Sequence, residues 1–453
     1  MTGLLVGIDA GTTTVKAVAH SLTGQVLGSG RRPTPWRERG GVVRMDADEL
    51  TAVALGALDD ALSGVPGDVV GAGVTGMAES GVLVDAAGRA LTPILAWYDE
   101  RPAAVLPAVA ADVGGDDAFT TRTGLPLSTR CTAVKTRWLA DQELVDGVPA
   151  GWATVPELLV ERLGGRFVSE LSLAARTGWL DVHERRWLPG HIAASGVRLS
   201  LPAPVPAGAP AGRVGAAGGR LAGAVLTVSG HDHLCAAVGA GATRPGDVLN
   251  SLGTGEAMVR QATRPIGPAG TVAAVRAGVT VGCHVFPGTQ SLFTGLGSGL
   301  ALRRFLRLLG VAENDHDARR DLDAAALALP PDQVPIGVAD VAGVAATLTG
   351  IPAEPSPAMV WRAVLDTVMR RGHAALEVMA SVTGPHTRVV AVGGWLRGDA
   401  VVATKRAALG DVVIPPVAEA AARGAALFAG LAAGRYDSID ELPDPTDPQE
   451  AHR

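Results

Sequence analysis

The chain opens on a continuous apolar run, Leu4-Leu5-Val6-Gly7-Ile8, which reads as a strand buried on both faces. Asp9-Ala10-Gly11-Thr12-Thr13 interrupts it as a tight turn. Val15–Ala19 returns as a second strand, Leu22-Thr23-Gly24-Gln25 turns again, and Val26–Ser29 can pair as a third. The period then changes. Asp46 and Glu49 stand at capping-box spacing ahead of Leu50, Val53, Ala54, Ala57 and Leu58, which predicts a helix over 46–63. Val69–Val74 reads as another buried strand, and residues 81–85 as one arm of a hairpin closed by Ala87-Gly88. The expected class is α/β with an antiparallel start.

Residues 201–220 are dense in Pro, Gly and Ala, and this is the expected domain crossover. The opening pattern then recurs. Val225–Ser229 is apolar and ends at Gly230-His231-Asp232-His233, and Val248–Leu252 runs into Gly253-Thr254-Gly255. Two similar glycine-threonine turns, one per half, suggest a duplicated fold of domains 1–222 and 223–453 with a cleft between them. The last quarter alternates: a long helix from Ser356-Pro357, a strand over 387–392 ending at Gly393-Gly394, and a helix over 399–409. A strand over 411–414 and a small-residue helix over 418–433 follow, and the acidic tail after Tyr436 is expected to be peripheral.

Composition narrows the function classes. The 453 residues carry a net charge of −6, which disfavours both a nucleic-acid footprint and an electrostatic membrane anchor. No apolar run approaches the length of a membrane span, and no signal-peptide pattern stands at the N-terminus. The three cysteines, Cys131, Cys235 and Cys283, are far apart and form no CxxC pair, so a reducing cytoplasm is the expected setting. Only three lysines occur, Lys16, Lys135 and Lys405, which makes each worth inspecting.

Four segments could carry chemistry. In Asp9-Ala10-Gly11-Thr12-Thr13-Thr14-Val15-Lys16, backbone N–H groups and hydroxyls suit phosphate oxygens. Asp9 can hold a hydrated Mg²⁺, and Lys16 can reach the phosphate charge. An ordinary hairpin turn is the plain alternative, and no GxxxxGK[ST] occurs. Gly253-Thr254-Gly255 repeats the motif in the other half. Asp232, at a strand end, suits the proton acceptor of phosphoryl transfer, or merely caps the next helix. His231 and His233, two apart on one strand face, also permit a metal-dependent hydrolase of the HxH type. Gly393-Gly394 after a strand lets a nucleotide approach the backbone, and Gly295, Gly297 and Gly299 form a further loop before a basic helix.

In this order, over nearly the whole chain, these segments resemble the FGGY carbohydrate kinases, which include glycerol kinase and xylulokinase. The resemblance implies two duplicated actin- and hexokinase-like (ribonuclease H-like) domains around a cleft that closes on substrate. It implies ATP and Mg²⁺ as cofactors and a small sugar (ketose) or polyol as substrate. Thr12, Thr13, Thr14, Lys16, Gly253, Thr254, Gly299 and Gly394 would bind the nucleotide, Asp9 the metal, and Asp232 would be the catalytic base. Val74-Thr75-Gly76-Met77-Ala78-Glu79-Ser80 resembles the acceptor segment. Glu79 matches the glycerol-type pattern, whereas Ala78 replaces its arginine, which argues against glycerol itself. Asp99, in Trp97-Tyr98-Asp99-Glu100-Arg101, and His233 are also placed at the acceptor, with a structural Asp99–Arg101 ion pair as the alternative. Trp395, Gly398 and Ala407 depart from the pattern on the adenosine side. A non-catalytic sensor of the same fold stays open on that account, and a homodimer is compatible with the family.

Overall fold

The computed structural model describes residues 3–39, 42–312, 315–330, 333–341 and 345–447. Its first sheet contains β1 (Leu4–Ala10), β2 (Thr14–Ser21), β3 (Val26–Pro33), β4 (Val69–Gly76) and β5 (Val225–His231), in the order β3-β2-β1-β4-β5. β1–β2 and β2–β3 pair antiparallel, while β1–β4 and β4–β5 pair parallel. The second sheet contains β6 (Asp247–Leu252), β7 (Glu256–Gln261), β8 (Thr280–Cys283), β9 (Gln290–Leu296), β10 (Arg388–Val392) and β11 (Val412–Val413). Around β6 it repeats the first: β9-β7-β6 antiparallel, then β10 and β11 parallel. The duplicated topology read from the paired turns is therefore present.

The crossover needs correction. The Pro-rich segment supplies a short edge strand, Pro210–Arg213, antiparallel to β5, and β5 is itself hydrogen-bonded into the first sheet. Sheet membership thus carries the first half past the 222/223 division. Turn-forming residues marked that division, but a β-edge tolerates proline, so they do not exclude a strand.

Eight helices position the site: α1 (Ala47–Leu62), α2 (Val155–Arg162), α3 (Asp232–Gly239), α4 (Ser298–Leu308), α5 (His316–Leu327), α6 (Pro357–Thr383), α7 (Asp399–Leu409) and α8 (Ala420–Ala432). α1 begins as expected, with Asp46 accepting from the Asp48 and Glu49 amides. The reciprocal half of the capping box is absent, because Glu49 instead takes a bidentate pair from Arg37 at 2.9 Å. The arm at 81–84 turns back as expected, with Gly88 N donating to Asp85 O at 3.0 Å, Leu91 N to Leu83 O at 2.8 Å and a bridge between Val84 and Ala90; it also pairs with Gly151–Thr154.

α1 and α2 cover one face of the first sheet, and α3 and α8 lie between the two sheets. That inner layer is built from small residues. A Cβ on Gly7, Gly73, Gly239 or Gly424 would collide with the backbone of the opposing element. Glycine therefore sets how near α8 comes to β1, β4 and α3. The stretch from Tyr436 to Asp447, expected to be peripheral, is fastened down. Tyr436 Oη donates to Leu22 O at 2.6 Å, Arg423 Nη2 to Pro443 O at 2.8 Å, and Arg388 Nη1 to Thr446 Oγ1 at 3.1 Å.

His284, just after β8, is buried and stacked on Phe286, and its Nδ1 accepts from the Phe286 amide at 3.1 Å. Burial pushes its pKa down to about 3. The unfolded chain takes up a proton below its ordinary 6.5 whereas the folded chain does not, so stability falls as pH drops from 6.5 toward 3. Near pH 5 the loss is on the order of 2 kcal/mol. His284→Asn, which keeps an acceptor there, is expected to flatten the fall of Tm between about pH 7 and pH 5. An unchanged slope would show that His284 is not responsible.

Candidate active site

Asp9, next to the last residue of β1, stands opposite Lys16 of β2. The turn between them is held by Gly11 N donating to Thr14 O at 3.2 Å, and Trp36 Nε1 donates to Thr12 O at 2.7 Å. Trp97 Nε1 donates to Thr12 Oγ1 at 3.0 Å, which ties this turn to the segment carrying Asp99. Thr13 is exposed and Thr14 half-buried. In the second half, Gly253 N donates to Gly255 O at 2.9 Å with Thr254 exposed. Gly299, in the first turn of α4, presses against this turn so closely that a Cβ would strike the carbonyls of Gly253 and Thr254. Beneath it, the fully buried Lys405 of α7 donates to Asn250 Oδ1 at 2.6 Å and Glu256 Oε1 at 3.2 Å.

Asp9 is buried, and its Oδ1 has no hydrogen bond. Burial raises its pKa to about 7; Lys16 opposes the rise, while Asp232 and Glu419 add to it. Lys16 Nζ lies 2.6 Å from Glu419 Oε2, at the start of α8. Burial disfavours the Lys16 charge, but Asp9 and Glu419 outweigh it and raise the pKa.

Asp232 is the first residue of α3, and the cap position belongs to His231 at the end of β5. His231 and His233 therefore do not share a strand face. The β5 end is pinned by Thr75 Oγ1 donating to Gly230 O at 2.6 Å and by the His231 amide donating to Ser172 Oγ at 2.9 Å. A Cβ on Gly230, whose φ is +93°, would crowd that Ser172 hydroxyl. Asp232 Oδ1 accepts from the His233 amide at 2.7 Å and lies 3.2 Å from His231 Nε2. Burial would raise the Asp232 pKa, but His233 and His231 outweigh it and hold it at about 2. Among the described residues no three His, Cys, Asp or Glu side chains converge to hold a metal, which leaves the HxH hydrolase reading without a ligand set.

On the acceptor side, Glu79 receives a fork from Arg176, Nε at 2.9 Å and Nη2 at 2.7 Å, and Arg176 lies over the Phe293 ring. Burial opposes the Glu79 charge, yet Arg176, His231 and Lys135 bring its pKa down to about 2. Lys135, fully buried, donates to Glu79 O at 2.7 Å, and burial brings its pKa down to about 8. Glu79, Arg176 and Phe293 line a cavity of about 160 Å³ with Ser128, Arg130 and Thr280. The Phe293 ring also packs against His231 and His233, both at 5.5 Å, so this wall continues to Asp232.

Two expected acceptor residues fare differently. Ala78 is a core residue packed with Val74 and Met77, and its side chain does not reach the cavity. Both oxygens of Asp99 are taken by Arg101, at 2.9 and 3.0 Å from Nε. Arg176, Arg130 and Lys135 were not singled out for this wall, because they converge from distant segments that carry no motif. The scarcity of lysine was the one usable signal for Lys135.

A larger cavity, about 860 Å³, is lined by Gly253, Thr254, Gly394, Trp395, Gly398 and Arg319, among others. Trp395 is itself a core residue. The Arg319 guanidinium lies 4.7 Å from its ring, and a Cβ at Gly398 would press on that guanidinium. Asp9 and Asp232 are in electrostatic reach of each other, and the second glycine turn opens on the larger cavity.

The N-terminal domain of the FGGY family of carbohydrate kinases matches residues 4–239. The chain belongs to this family. A glycerol kinase of Bordetella parapertussis is 28% identical over 97% of this chain and 90% of its own length. The solved xylulose kinase of Rhodospirillum rubrum superimposes with a TM-score of 0.85 at 22% identity, covering 99% of this chain and 95% of the other. Plasmodium falciparum glycerol kinase, solved with ADP, gives 0.82 at 15% identity, covering 98% and 93%. The FGGY protein is an ATP-dependent carbohydrate kinase of actin- and hexokinase-like fold, and FGGY kinases use ATP with Mg²⁺. A buried carboxylate oxygen without a partner, at Asp9, fits a cation that would supply the missing counter-charge. Among the described residues no helix is long and apolar enough to cross a membrane.

Proposed function

We propose that this kinase transfers the γ-phosphate of Mg·ATP to a hydroxyl of a small sugar or polyol, with Asp232 accepting the hydroxyl proton. The observation that supports it is the divergence of two carboxylates in mutual electrostatic reach: Asp9 raised to about 7, Asp232 held at about 2. Environments that push two acids apart assign them different tasks. Asp232 is ionised and able to accept, and Asp9 is the group that gains from a cation. Thr12, Thr13, Thr14, Gly253, Thr254 and Gly394 offer hydroxyls and backbone to the nucleotide. Lys16 stands ready for phosphate charge once it leaves Glu419. Phosphoryl transfer asks the protein chiefly for positioning and charge neutralisation, which these groups provide. Glu79, oriented by Arg176, is the acceptor carboxylate for substrate hydroxyls.

The test is ADP release from Mg·ATP against a panel of tetruloses, pentuloses, hexuloses, alditols and aldonates. At least one acceptor must stimulate release and appear as its phosphate ester; release without any ester would defeat the proposal. Gly299 gives a separate check on the second turn. Gly299→Ala should displace that turn by about 1 Å or more and weaken ATP binding about tenfold in calorimetric titration. An unaltered Kd would remove this turn from the nucleotide site.

A further inference from the structure

The acceptor wall carries more positive charge than the reaction requires. Glu79 is already served by Arg176 and Lys135. Arg130 is a further cation on the same cavity, and its guanidinium lies 5.2 Å from the Trp97 ring centroid. Asp99 is engaged by Arg101, and Glu100 Oε2 accepts from Thr129 Oγ1 at 3.0 Å, so neither neighbouring acid is drawn to Arg130. A cation–π contact with an indole leaves the guanidinium N–H edge available. A planar fork of this kind matches a carboxylate in bidentate fashion.

The cavity's size narrows the ligand. At about 160 Å³ it is well below the roughly 300 Å³ at which pockets for drug-sized ligands begin. A short acceptor suits it. Ser128, Thr280 and the Glu79–Arg176 pair offer polar contacts for hydroxyls, and Phe293 gives an apolar floor leading toward His233 and Asp232.

We infer that the acceptor is a short sugar acid, an aldonate, whose carboxylate is held by Arg130 while a hydroxyl at its other end is phosphorylated. The inference rests on the kinase reading above and names the substrate class of the same site. Arg130 acts as a specificity residue and takes no part in the proton transfer.

The experiment uses the full chain with Mg·ATP and matched sets of equal carbon number: erythritol, erythrulose and erythronate, then xylitol, xylulose and xylonate. An aldonate is expected to exceed its neutral partners in kcat/KM by about thirtyfold or more, as a charged hydrogen-bonded pair allows. Arg130→Gln should raise the KM for the aldonate by a similar factor, more than it lowers kcat, and reduce the preference over neutral sugars. Arg130→Lys, which keeps the charge but loses the fork, should recover part of the affinity. Two results would overturn the inference. Neutral sugars could match or exceed aldonates, or Arg130→Gln could leave the aldonate KM unchanged. Phosphorylation of neutral sugars alone would reject the aldonate and keep the kinase reading, whereas silence across the whole panel would reject both.

Discussion

Asp232→Asn is expected to lower kcat by about 10³-fold while leaving the Kd for ATP within about threefold. Asparagine keeps the shape of the side chain and can still accept from the His233 amide, but it cannot take the hydroxyl proton. The wild-type carboxylate is held at about 2, so it stays ionised across the whole working range. No acid limb between about pH 4 and pH 6 in the rate profile should therefore be assigned to Asp232. A base this weak suffices if the proton moves late, after the bond to the leaving phosphate is largely broken. If the variant retained kcat within tenfold, Asp232 would be an orienting group and the acceptor proton would leave by another route.

The second large effect concerns stability. Lys405→Met should destabilise the protein by about 3–5 kcal/mol, the range for breaking a buried pair from one side. Lys405 and Glu256 are almost wholly enclosed, and Asn250 Nδ2 also donates to Glu256 Oε1 at 2.7 Å. Removing the ammonium leaves a carboxylate in the interior with one amide for company. The double variant Lys405→Met, Glu256→Gln should recover more than half of the loss, since the stranded charge goes too. Urea unfolding followed by circular dichroism measures both. Equal midpoints for the single and double variants would show that packing, not charge, sets the cost. Because these residues lie at the root of the Gly253–Gly255 turn, the single variant should also bind ATP less well than its stability alone explains.

Much of this architecture was legible because strand and turn signals are local. The run from Leu4 to Ile8, the turn at Asp9–Thr13 and its echo at Gly253–Gly255 predict hairpins that do form. Signals that depend on which distant partner competes were less legible. Glu49 has capping-box spacing, yet Arg37 offers it a bidentate pair that the box cannot match. The Pro-rich stretch before β5 looked like a division between domains and is the edge of a sheet. Ala78 stood beside Glu79 in the acceptor motif, but it lies in the bend after β4, where its side chain packs into the core. The guanidinium that the motif lacks at position 78 is supplied to Glu79 by Arg176, 97 residues away. No spacing rule reaches that far.

The placement of α8 bears on how the chain is made. β1 is synthesised long before α8, the helix from Ala420 that covers its inner face. The bond from Tyr436 to Leu22 spans 414 residues. Until α8 has been made, the glycine-lined side of the first sheet lacks the helix that covers it, and contacts so remote in sequence form slowly. The nascent first half must therefore wait, open to chaperones and to mispairing, for α8 to close the layer between the two sheets.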